Sequence, residues 1–209
     1  MDYHNYTIKK GKFIGKFEDL YKACEDPWNL LLLNKQNYKV DYKIVIYLAL
    51  KAGNVLKKKK IKTLEIGCGF PQISNELQKL NFDSYGTDIS ATVINKSKKK
   101  YKKLRNKLFV NNFDNFNIYK KINPDIFIMS NITWYVLPQL KIFLKYLKKN
   151  HKNKYLIHSL SVYGKKQKYG NEFFKNLDGI RKYFKLKYIT TGELVNKDKS
   201  GCTFFLAKI

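Results

Sequence analysis

The feature that most constrains the fold is a short apolar stretch that ends in two glycines one residue apart. Residues 62–71 read Lys-Thr-Leu-Glu-Ile-Gly-Cys-Gly-Phe-Pro, with the strand formers Thr63, Leu64 and Ile66 before the glycines. Apolar residues at positions 73, 77 and 80 then follow at helical spacing. The pattern predicts a buried strand, a tight glycine turn that a ligand can approach closely, and a helix.

An acidic residue about twenty positions later strengthens this interpretation. The segment 82–88, Phe-Asp-Ser-Tyr-Gly-Thr-Asp, is predicted to form a second strand that ends at Asp88. A Rossmann-type sheet places a carboxylate at this point, where ribose hydroxyls donate hydrogen bonds to it. A glycine turn alone is a weak signal, because glycine often only ends a strand. Together the two features predict a site for a nucleoside-containing ligand.

Strands and helices are predicted to alternate along the rest of the chain. Helices are expected at about 39–57, after Ser90, from Pro138, and across a segment that contains Phe173, Phe174, Leu177 and Ile180. Five further strands are predicted, at residues 108–112, 125–131, 155–160, 186–190 and 202–207. The last two are expected to pair in antiparallel fashion, which brings the number of predicted strands to seven.

The first 60 residues are expected to form an arm and a helical cap on a core of residues 61–209, the whole making one structural domain. Residues 1–15 fit either a mobile arm or a flap that orders over a ligand. A helix, a break and a second helix are predicted for residues 17–36, because Pro27 disfavours helix at Asp26.

The chain carries a net charge of +26, from 42 basic and 16 acidic residues. Such a charge is typical of proteins that bind nucleic acid, an anionic membrane surface or an acidic substrate. The abundance of Asn, Ile, Tyr and Phe offers A- and T-rich coding as a second explanation for the lysines. Eight of the twelve residues 96–107 are basic, and a solvated outer helix face is favoured over a phosphate-tracking surface there.

The cysteine pattern favours free thiols in a cytoplasmic protein. Cys24, Cys68 and Cys202 are odd in number and widely spaced, without the pairs typical of zinc sites, so no metal is expected. The longest uninterrupted apolar run, residues 44–50, is too short to span a bilayer, so membrane insertion is not expected. The sequence leaves the oligomeric state open.

The glycine turn, the strand-end acid and the element order together resemble the class I S-adenosylmethionine-dependent methyltransferases. The resemblance implies an α/β fold with a Rossmann-like, seven-stranded, mostly parallel sheet, an antiparallel last strand and helices on both faces. It also implies S-adenosylmethionine as the cofactor, with the glycine turn against its methionine portion and Asp88 on its ribose. The implied cofactor-binding residues are Glu65, Gly67, Cys68, Gly69, Asp88, Ile89, Asn112, Phe113 and Ser130.

Two positions depart from the pattern of that family. Asn112 stands where the family often has an acid that contacts the adenine amino group. The third glycine of the pattern is missing, with Pro71 near that place and Gln72 where a dinucleotide fingerprint has its last glycine. The second departure weakens the reading as a nicotinamide-dependent dehydrogenase, which remains an alternative beside a binding module without catalysis.

The N-terminal segment is similar to small-molecule methyltransferases related to the nodulation N-methyltransferase that acts on an amino sugar. In that group N-terminal helices cap the cofactor and help form the acceptor pocket, which makes Tyr21, Trp28, Tyr38 and Lys39 candidate pocket residues. For Trp28, a structural role that fastens a helix to the core is an equal alternative. Because ligands lie outside the carboxyl ends of parallel strands, Asn131, Trp134 and Tyr135 after the fourth strand are further candidates.

Methyl transfer from a sulfonium depends mainly on alignment, so no obligatory catalytic triad is expected. The catalytic candidates are His158, as a general base, and Tyr135, although a lone strand histidine is more often structural. Asn131 is not followed by the Pro-Pro-aromatic pattern of enzymes that methylate base amino groups. The expected acceptor is a small anionic molecule, such as a sugar, phosphate, phosphoramidate or nucleotide-linked intermediate of capsule or surface-glycan biosynthesis. An RNA methyltransferase that grips the backbone through its basic helix is the alternative.

Overall fold

The computed structural model describes residues 2–31, 40–197 and 199–209. Two short strands, β1 (Ile8–Lys9) and β2 (Lys12–Phe13), form a hairpin near the N-terminus. The remaining strands form one seven-stranded sheet: β3 (Lys62–Ile66), β4 (Asp83–Asp88), β5 (Leu108–Val110), β6 (Ile126–Ser130), β7 (Tyr155–Tyr163), β8 (Lys187–Val195) and β9 (Ser200–Lys208).

The strand order across the sheet is β5-β4-β3-β6-β7-β9-β8. The first five strands in this order are parallel, and β9 lies antiparallel between β7 and β8. The chain moves outward in one direction from β3 and in the other from β6, so the order reverses between these two neighbours. Open α/β sheets bind ligands at the carboxyl ends of the strands at such a reversal.

Seven α-helices lie in the described part of the chain, and none of them is long and apolar enough to cross a membrane. They are α1 (Phe17–Ala23), α2 (Val40–Leu56), α3 (Gln72–Lys79), α4 (Ala91–Lys100), α5 (Asn117–Ile122), α6 (Leu137–Asn150) and α7 (Leu177–Phe184). Ser90 caps α4, as predicted, because its hydroxyl accepts a hydrogen bond from the Val93 N–H at 3.3 Å.

The helices cover both faces of the sheet, and the central strand β6 shows how the sequence specifies this. Ile126 and Ile128 pack on one face with α2 and α3, whereas Phe127 and Met129 pack on the other with α6. All four side chains are fully buried. A strand with two covered faces must be apolar on both, which is why β6 reads as a continuous apolar run.

All seven strands of the main sheet, including the closing antiparallel pair, confirm the sequence prediction. Helix α7 starts later than predicted, because Asn176 has an extended backbone and its side chain caps the helix by accepting from the Gly179 N–H at 2.9 Å. Phe173 and Phe174 therefore precede the helix. Helix α5 was not predicted. Val55, one residue before the end of α2, is 55% exposed.

The N-terminal segment folds over the carboxyl end of the sheet. Helix α1 packs against α4, and the carboxylate of Glu18 joins them. Its oxygens accept hydrogen bonds from the hydroxyls of Ser90 at 2.7 Å and Thr92 at 2.6 Å. The Lys96 ammonium in turn donates to the Tyr21 carbonyl at 2.8 Å. We call residues 2–31 the N-terminal arm; these contacts fix it on the core.

Candidate functional site

A cavity of about 380 Å³ lies between the N-terminal arm and the carboxyl ends of β3, β4 and β6. Its volume is within the range of small-molecule sites. The core contributes the glycine turn, the end of β4 and the segment after β6. The arm contributes Tyr3, Phe13, Gly15, Phe17, Tyr21, Trp28 and Leu30.

The glycine turn adopts a conformation that a larger residue would not fit. Gly67 has φ +66° and Gly69 has φ +50°, in the left-handed region that favours glycine. A Cβ atom at Gly67 would lie 2.5 Å from Cγ2 of Ile132, and one at Gly69 would lie 2.6 Å from Oη of Tyr21. Between them, Cys68 is buried and its N–H donates to the Thr87 carbonyl at 2.8 Å. The turn is therefore held tightly between β4, α1 and the segment after β6.

The carboxylate of Asp88 faces the cavity at the end of β4 and is 7% exposed. One oxygen accepts a hydrogen bond from the Gly69 N–H and the other from the Ser90 N–H, both at 2.9 Å. Burial raises the pKa of this carboxyl to about 6, although the backbone donors act in the opposite direction. Because a carboxylate has about four acceptor positions, roughly two remain for hydroxyl donors in the cavity.

Glu65 places a second carboxylate in the cavity lining. Its Oε2 accepts hydrogen bonds from the Ser74 N–H at 2.9 Å and the Ser74 hydroxyl at 2.6 Å. Burial raises the pKa of Glu65 to about 7. Because Ser74 lies in the first turn of α3, the Glu65 carboxylate already occupies an N–H donor at the N-terminus of this helix.

The other predicted cofactor residues also line the cavity. Ile89 is half exposed beside Asp88, and Ser130 at the end of β6 shares a 2.9 Å hydrogen bond with the hydroxyl of Ser159 in the middle of β7. Asn112 is exposed after β5, next to the buried Phe113. The side chain of Asn112 forms no hydrogen bond with the described residues, which leaves its amide free for a ligand.

Asn131 connects three elements at the cavity wall and has a left-handed backbone, with φ +57°. Its amide nitrogen donates to Oδ2 of Asp41 at 2.6 Å, and its amide oxygen accepts from the Ser161 N–H at 2.7 Å. The Ser161 hydroxyl also reaches this oxygen, at 3.0 Å. The predicted pocket residue Asn131 thus fixes α2 and β7 to the segment after β6.

Aromatic rings form a continuous wall of the cavity. Tyr135 contacts Phe17 and Trp28, with ring centroids 5.1 and 6.0 Å apart, and Trp28 contacts Tyr3 at 4.8 Å. Trp28 also forms a hydrogen bond with the phenol of the buried Tyr21. Trp28 therefore both lines the cavity and fastens the arm to the core.

Trp134 borders the cavity from the segment after β6 and is almost fully buried. Its indole N–H donates to the Ser161 carbonyl at 2.8 Å. The ring packs on Phe174, with centroids 5.2 Å apart. These contacts fix the orientation of the indole at the cavity wall.

His158 does not reach the cavity. The ring is fully buried between Phe184 and Phe205, and its Nε2 shares a 2.8 Å hydrogen bond with the Thr133 hydroxyl. Burial lowers the pKa of His158 to about 3. This setting is that of a neutral structural histidine, so the geometry gives no support to its expected role as a general base that touches the acceptor.

The predicted pocket residues Tyr38 and Lys39 lie outside the described residues. Several cavity residues were not predicted from the sequence: Tyr3, Phe13, Phe17, Leu30, Tyr42, Asn111, Gln139, Ser161 and Tyr163. The available signal was the concentration of aromatic residues in the first 17 positions, at Tyr3, Tyr6, Phe13 and Phe17. Those positions have no regular periodicity, so the sequence does not indicate which of these side chains face the cavity.

The charge of the cavity contrasts with that of the chain. No lysine, arginine or histidine is among the described lining residues, although the chain has a net charge of +26. The lining carboxyls are those of Glu65 and Asp88. The described part of the lining therefore suits cationic or neutral ligands better than polyphosphates.

Several solved structures share this architecture over nearly their whole length. One is the N-methyltransferase NodS from Bradyrhizobium japonicum in complex with S-adenosylhomocysteine, with TM-score 0.65, 13% identity, and coverage of 92% of this chain and 96% of that one. Another is magnesium protoporphyrin IX methyltransferase from Synechocystis with bound S-adenosylmethionine, with TM-score 0.63, 14% identity, and coverage of 92% and 94%. The chain has the fold of the class I S-adenosylmethionine-dependent methyltransferases.

A third similar structure is an S-adenosylmethionine-dependent methyltransferase from Clostridium acetobutylicum, with TM-score 0.61, 16% identity, and coverage of 93% of this chain and 98% of that one. No family model matches the sequence, and no curated protein matches it either. At these identities the likeness establishes the fold, and the activity has to be argued from the site.

Proposed function

We propose that the protein is an S-adenosylmethionine-dependent methyltransferase that acts on a small acceptor. The observation that carries the proposal is the pairing of the Gly67 to Gly69 turn with the Asp88 carboxylate at the ends of adjacent strands. Asp88 faces the cavity with about two acceptor positions free, which matches the two hydroxyls of a ribose.

The charge of the lining fits this cofactor. S-adenosylmethionine carries a sulfonium and an ammonium group, and the described lining offers two carboxyls, several aromatic faces and no basic side chain. Aromatic faces attract cations, and carboxylates pair with them. Asn112 has a free amide beside Phe113, where it would bind the adenine edge in place of the family's acid.

A dinucleotide fits the same site poorly. A pyrophosphate binds at the open N-terminus of the helix after the glycine turn. Here the side chain of Gln72 stands at that terminus and donates to the Leu30 carbonyl at 2.8 Å, with Gln72 only 3% exposed. The Glu65 carboxylate occupies the Ser74 N–H of the same turn. A diphosphate would have to displace the arm and approach a buried acid.

The bound cofactor would supply a methyl group already activated on sulfur, so the protein's task is binding and alignment. Asp88 and Asn112 would hold the nucleoside, and the glycine turn would allow close approach to the methionine portion. The aromatic wall would exclude water from the acceptor. The arm, held by Glu18 on Ser90 and Thr92, would keep the site closed during transfer.

The expected size, charge and biological role of the acceptor are supported by the cavity to different degrees. The site is a cavity of small-molecule size, which favours a small acceptor over RNA. The expected negative charge of the acceptor has no basic partner among the described lining residues. A role in capsule or surface-glycan biosynthesis stays a prediction from the sequence.

Calorimetric titration with S-adenosylhomocysteine and, separately, with NAD⁺ tests the proposal. We expect saturable binding of one S-adenosylhomocysteine per chain and no binding of NAD⁺. Binding of NAD⁺ alone, or of neither ligand, would refute the cofactor assignment. Transfer of a labelled methyl group to small acceptors or to RNA, followed by mass spectrometry, then tests the acceptor class.

A further inference from the structure

The aromatic wall of the cavity comes from two distant parts of the chain that meet at Tyr135. Phe17 and Trp28 of the arm both contact this ring, and Trp28 continues the wall to Tyr3. Tyr163 at the end of β7 also lines the cavity. Ring faces at centroid distances of about 4.5–7 Å form favourable stacked or edge contacts, so such a wall fits a flat apolar group.

The electrostatics of this wall disfavour an anionic acceptor. Aromatic faces carry partial negative charge, and no described lining residue is basic. Glu65 and Asp88 place two carboxyls in the same cavity, where burial weakens solvent screening. A phosphate or carboxylate would lose its hydration there without gaining a cationic partner from the part of the lining that the structure describes.

The hydroxyl groups of the wall can bind a ligand but are poor proton acceptors. The phenol oxygens of Tyr135 and Tyr163 form no hydrogen bonds with the described residues. Burial raises the pKa of both phenols, which keeps them neutral near pH 7. The carboxylate of Asp88 is assigned to the cofactor ribose under the proposed function, and Oε2 of Glu65 accepts two hydrogen bonds from Ser74. Neither phenol of the wall can act as the base that an acceptor such as an alcohol needs.

We propose that the acceptor is an uncharged amine on a flat aromatic or heteroaromatic framework, an inference that rests on the proposed methyltransferase function. The amine lone pair forms the new N–C bond while the C–S bond breaks and its electron pair stays on sulfur, which becomes a neutral thioether. The resulting N-methylammonium releases its extra proton to water. The phenols of Tyr135 and Tyr163 orient the amine by hydrogen bonding, and the rings of Phe17 and Trp28 hold the framework.

A set of matched acceptor molecules tests separately whether the amine, the flat ring and the absence of negative charge are required. Aniline and 5-aminoindole carry an amine that is uncharged near pH 7 on a flat ring, phenol replaces the amine by a hydroxyl, 2,2,2-trifluoroethylamine is an uncharged amine without the ring, and 4-aminobenzoate adds an anion. Each probe is titrated by calorimetry into the protein saturated with S-adenosylhomocysteine, and each is assayed for methylation with S-adenosylmethionine by mass spectrometry. We expect the two aryl amines to bind and to be methylated at least tenfold faster than the other three.

Substitutions in the protein test whether the aromatic wall binds the acceptor. Phe17→Leu is expected to raise KM for aniline at least fivefold, with the Kd for S-adenosylhomocysteine unchanged within twofold. Tyr47→Leu is the control, because Tyr47 is 58% exposed on α2 and does not line the cavity. It is expected to leave both constants unchanged.

The outcomes distinguish this inference from the function on which it rests. Failure to bind S-adenosylhomocysteine overturns the proposed function, and the acceptor inference falls with it. If S-adenosylhomocysteine binds but neither aryl amine is bound and methylated, the acceptor inference alone is wrong. Equal or faster transfer to 4-aminobenzoate, phenol or 2,2,2-trifluoroethylamine also overturns it.

Discussion

The carboxylate of Asp88 accepts a hydrogen bond from the Gly69 N–H at 2.9 Å, across the 19 residues that separate them in sequence. This bond joins the acid at the end of β4 to the glycine turn after β3. The second oxygen accepts from the Ser90 N–H and thereby fixes the start of α4. Asp88 therefore has two tasks: it shapes the glycine turn, and it presents its remaining acceptor positions to the cavity.

Binding of S-adenosylhomocysteine should weaken as the pH falls below about 6. The pKa of Asp88 is raised to about 6, so the ionised carboxylate that accepts the ribose hydroxyls is lost below that pH. Each further pH unit should lower the affinity by up to about tenfold. Calorimetry between pH 5 and pH 7.5 measures this dependence.

Asp88→Asn is the control, because Glu65, with a pKa of about 7, titrates in an overlapping range. The variant should bind S-adenosylhomocysteine more weakly, and its affinity should vary little between pH 5 and pH 6.5. A variant that retained the full pH dependence of the wild type would show that Asp88 is not the responsible group.

Gly69→Ala should destabilise the protein through two separable effects. The left-handed φ of +50° costs a non-glycine residue roughly 1–2 kcal/mol, and the new Cβ would lie 2.6 Å from the Tyr21 phenol oxygen. Tyr21→Phe removes that oxygen, so the double variant should recover the steric part and keep the backbone part. Urea unfolding of both single variants and the double variant forms the cycle. Strict additivity would contradict the predicted contact.

Glu18→Gln should loosen the N-terminal arm. The carboxylate accepts three hydrogen bonds from Ser90 and Thr92, and a neutral amide cannot accept all of them equally well. A loss of about 1 kcal/mol would raise the open population roughly fivefold, which limited trypsin digestion in the arm would detect. Glu25→Gln is the matched control, since Glu25 is exposed on the same arm. Equal digestion of the two variants would argue against the role of Glu18.

His158 should contribute to stability and not to proton transfer. Its pKa is lowered by burial to about 3, so the folded state binds fewer protons than the unfolded state between about pH 3 and pH 6.5. The stability from this residue is complete above about pH 6.5 and is lost as the pH falls, by about 1.4 kcal/mol per unit.

Urea unfolding of the wild type and His158→Gln checks the sign of this effect. The stability advantage of the wild type should be about 1.4 kcal/mol smaller at pH 5.5 than at pH 7.5. Methyl transfer per folded molecule should keep its pH profile in the variant. Loss of a limb of that profile would indicate that His158 acts as a base.

The sequence predicts the sheet well because its strands are specified locally. The continuous apolar run from Ile126 to Met129 and the glycine turn after β3 can both be recognised in short stretches of sequence. Helix α5 is not predicted from the sequence, because it has only six residues and follows a segment rich in Asn and Asp that is typical of a turn. Helix α7 starts late because a capping side chain, Asn176, overrides the apolar spacing before it.

The proposed cofactor end and the aromatic wall of the site also differ in how well the sequence predicts them. The glycine turn and Asp88 of the proposed cofactor end lie within about twenty positions of each other, so a motif reveals them. The aromatic wall depends on the arm, whose position is set by contacts such as Glu18 with Ser90, 72 residues apart. No local pattern encodes such a contact, and the net charge of the chain does not indicate which side chains line the cavity.

The most direct measurement of the central claim is a calorimetric titration of S-adenosylhomocysteine into the wild type, Asp88→Ala and Asp178→Ala. Asp178 is exposed on α7, is not among the lining residues of the cavity, and controls for the loss of one carboxylate. We predict saturable binding to the wild type and Asp178→Ala, and at least tenfold weaker binding to Asp88→Ala, or about 1.4 kcal/mol, with thermal unfolding still cooperative. Equal affinity in all three proteins, or no binding to the wild type, would contradict the account.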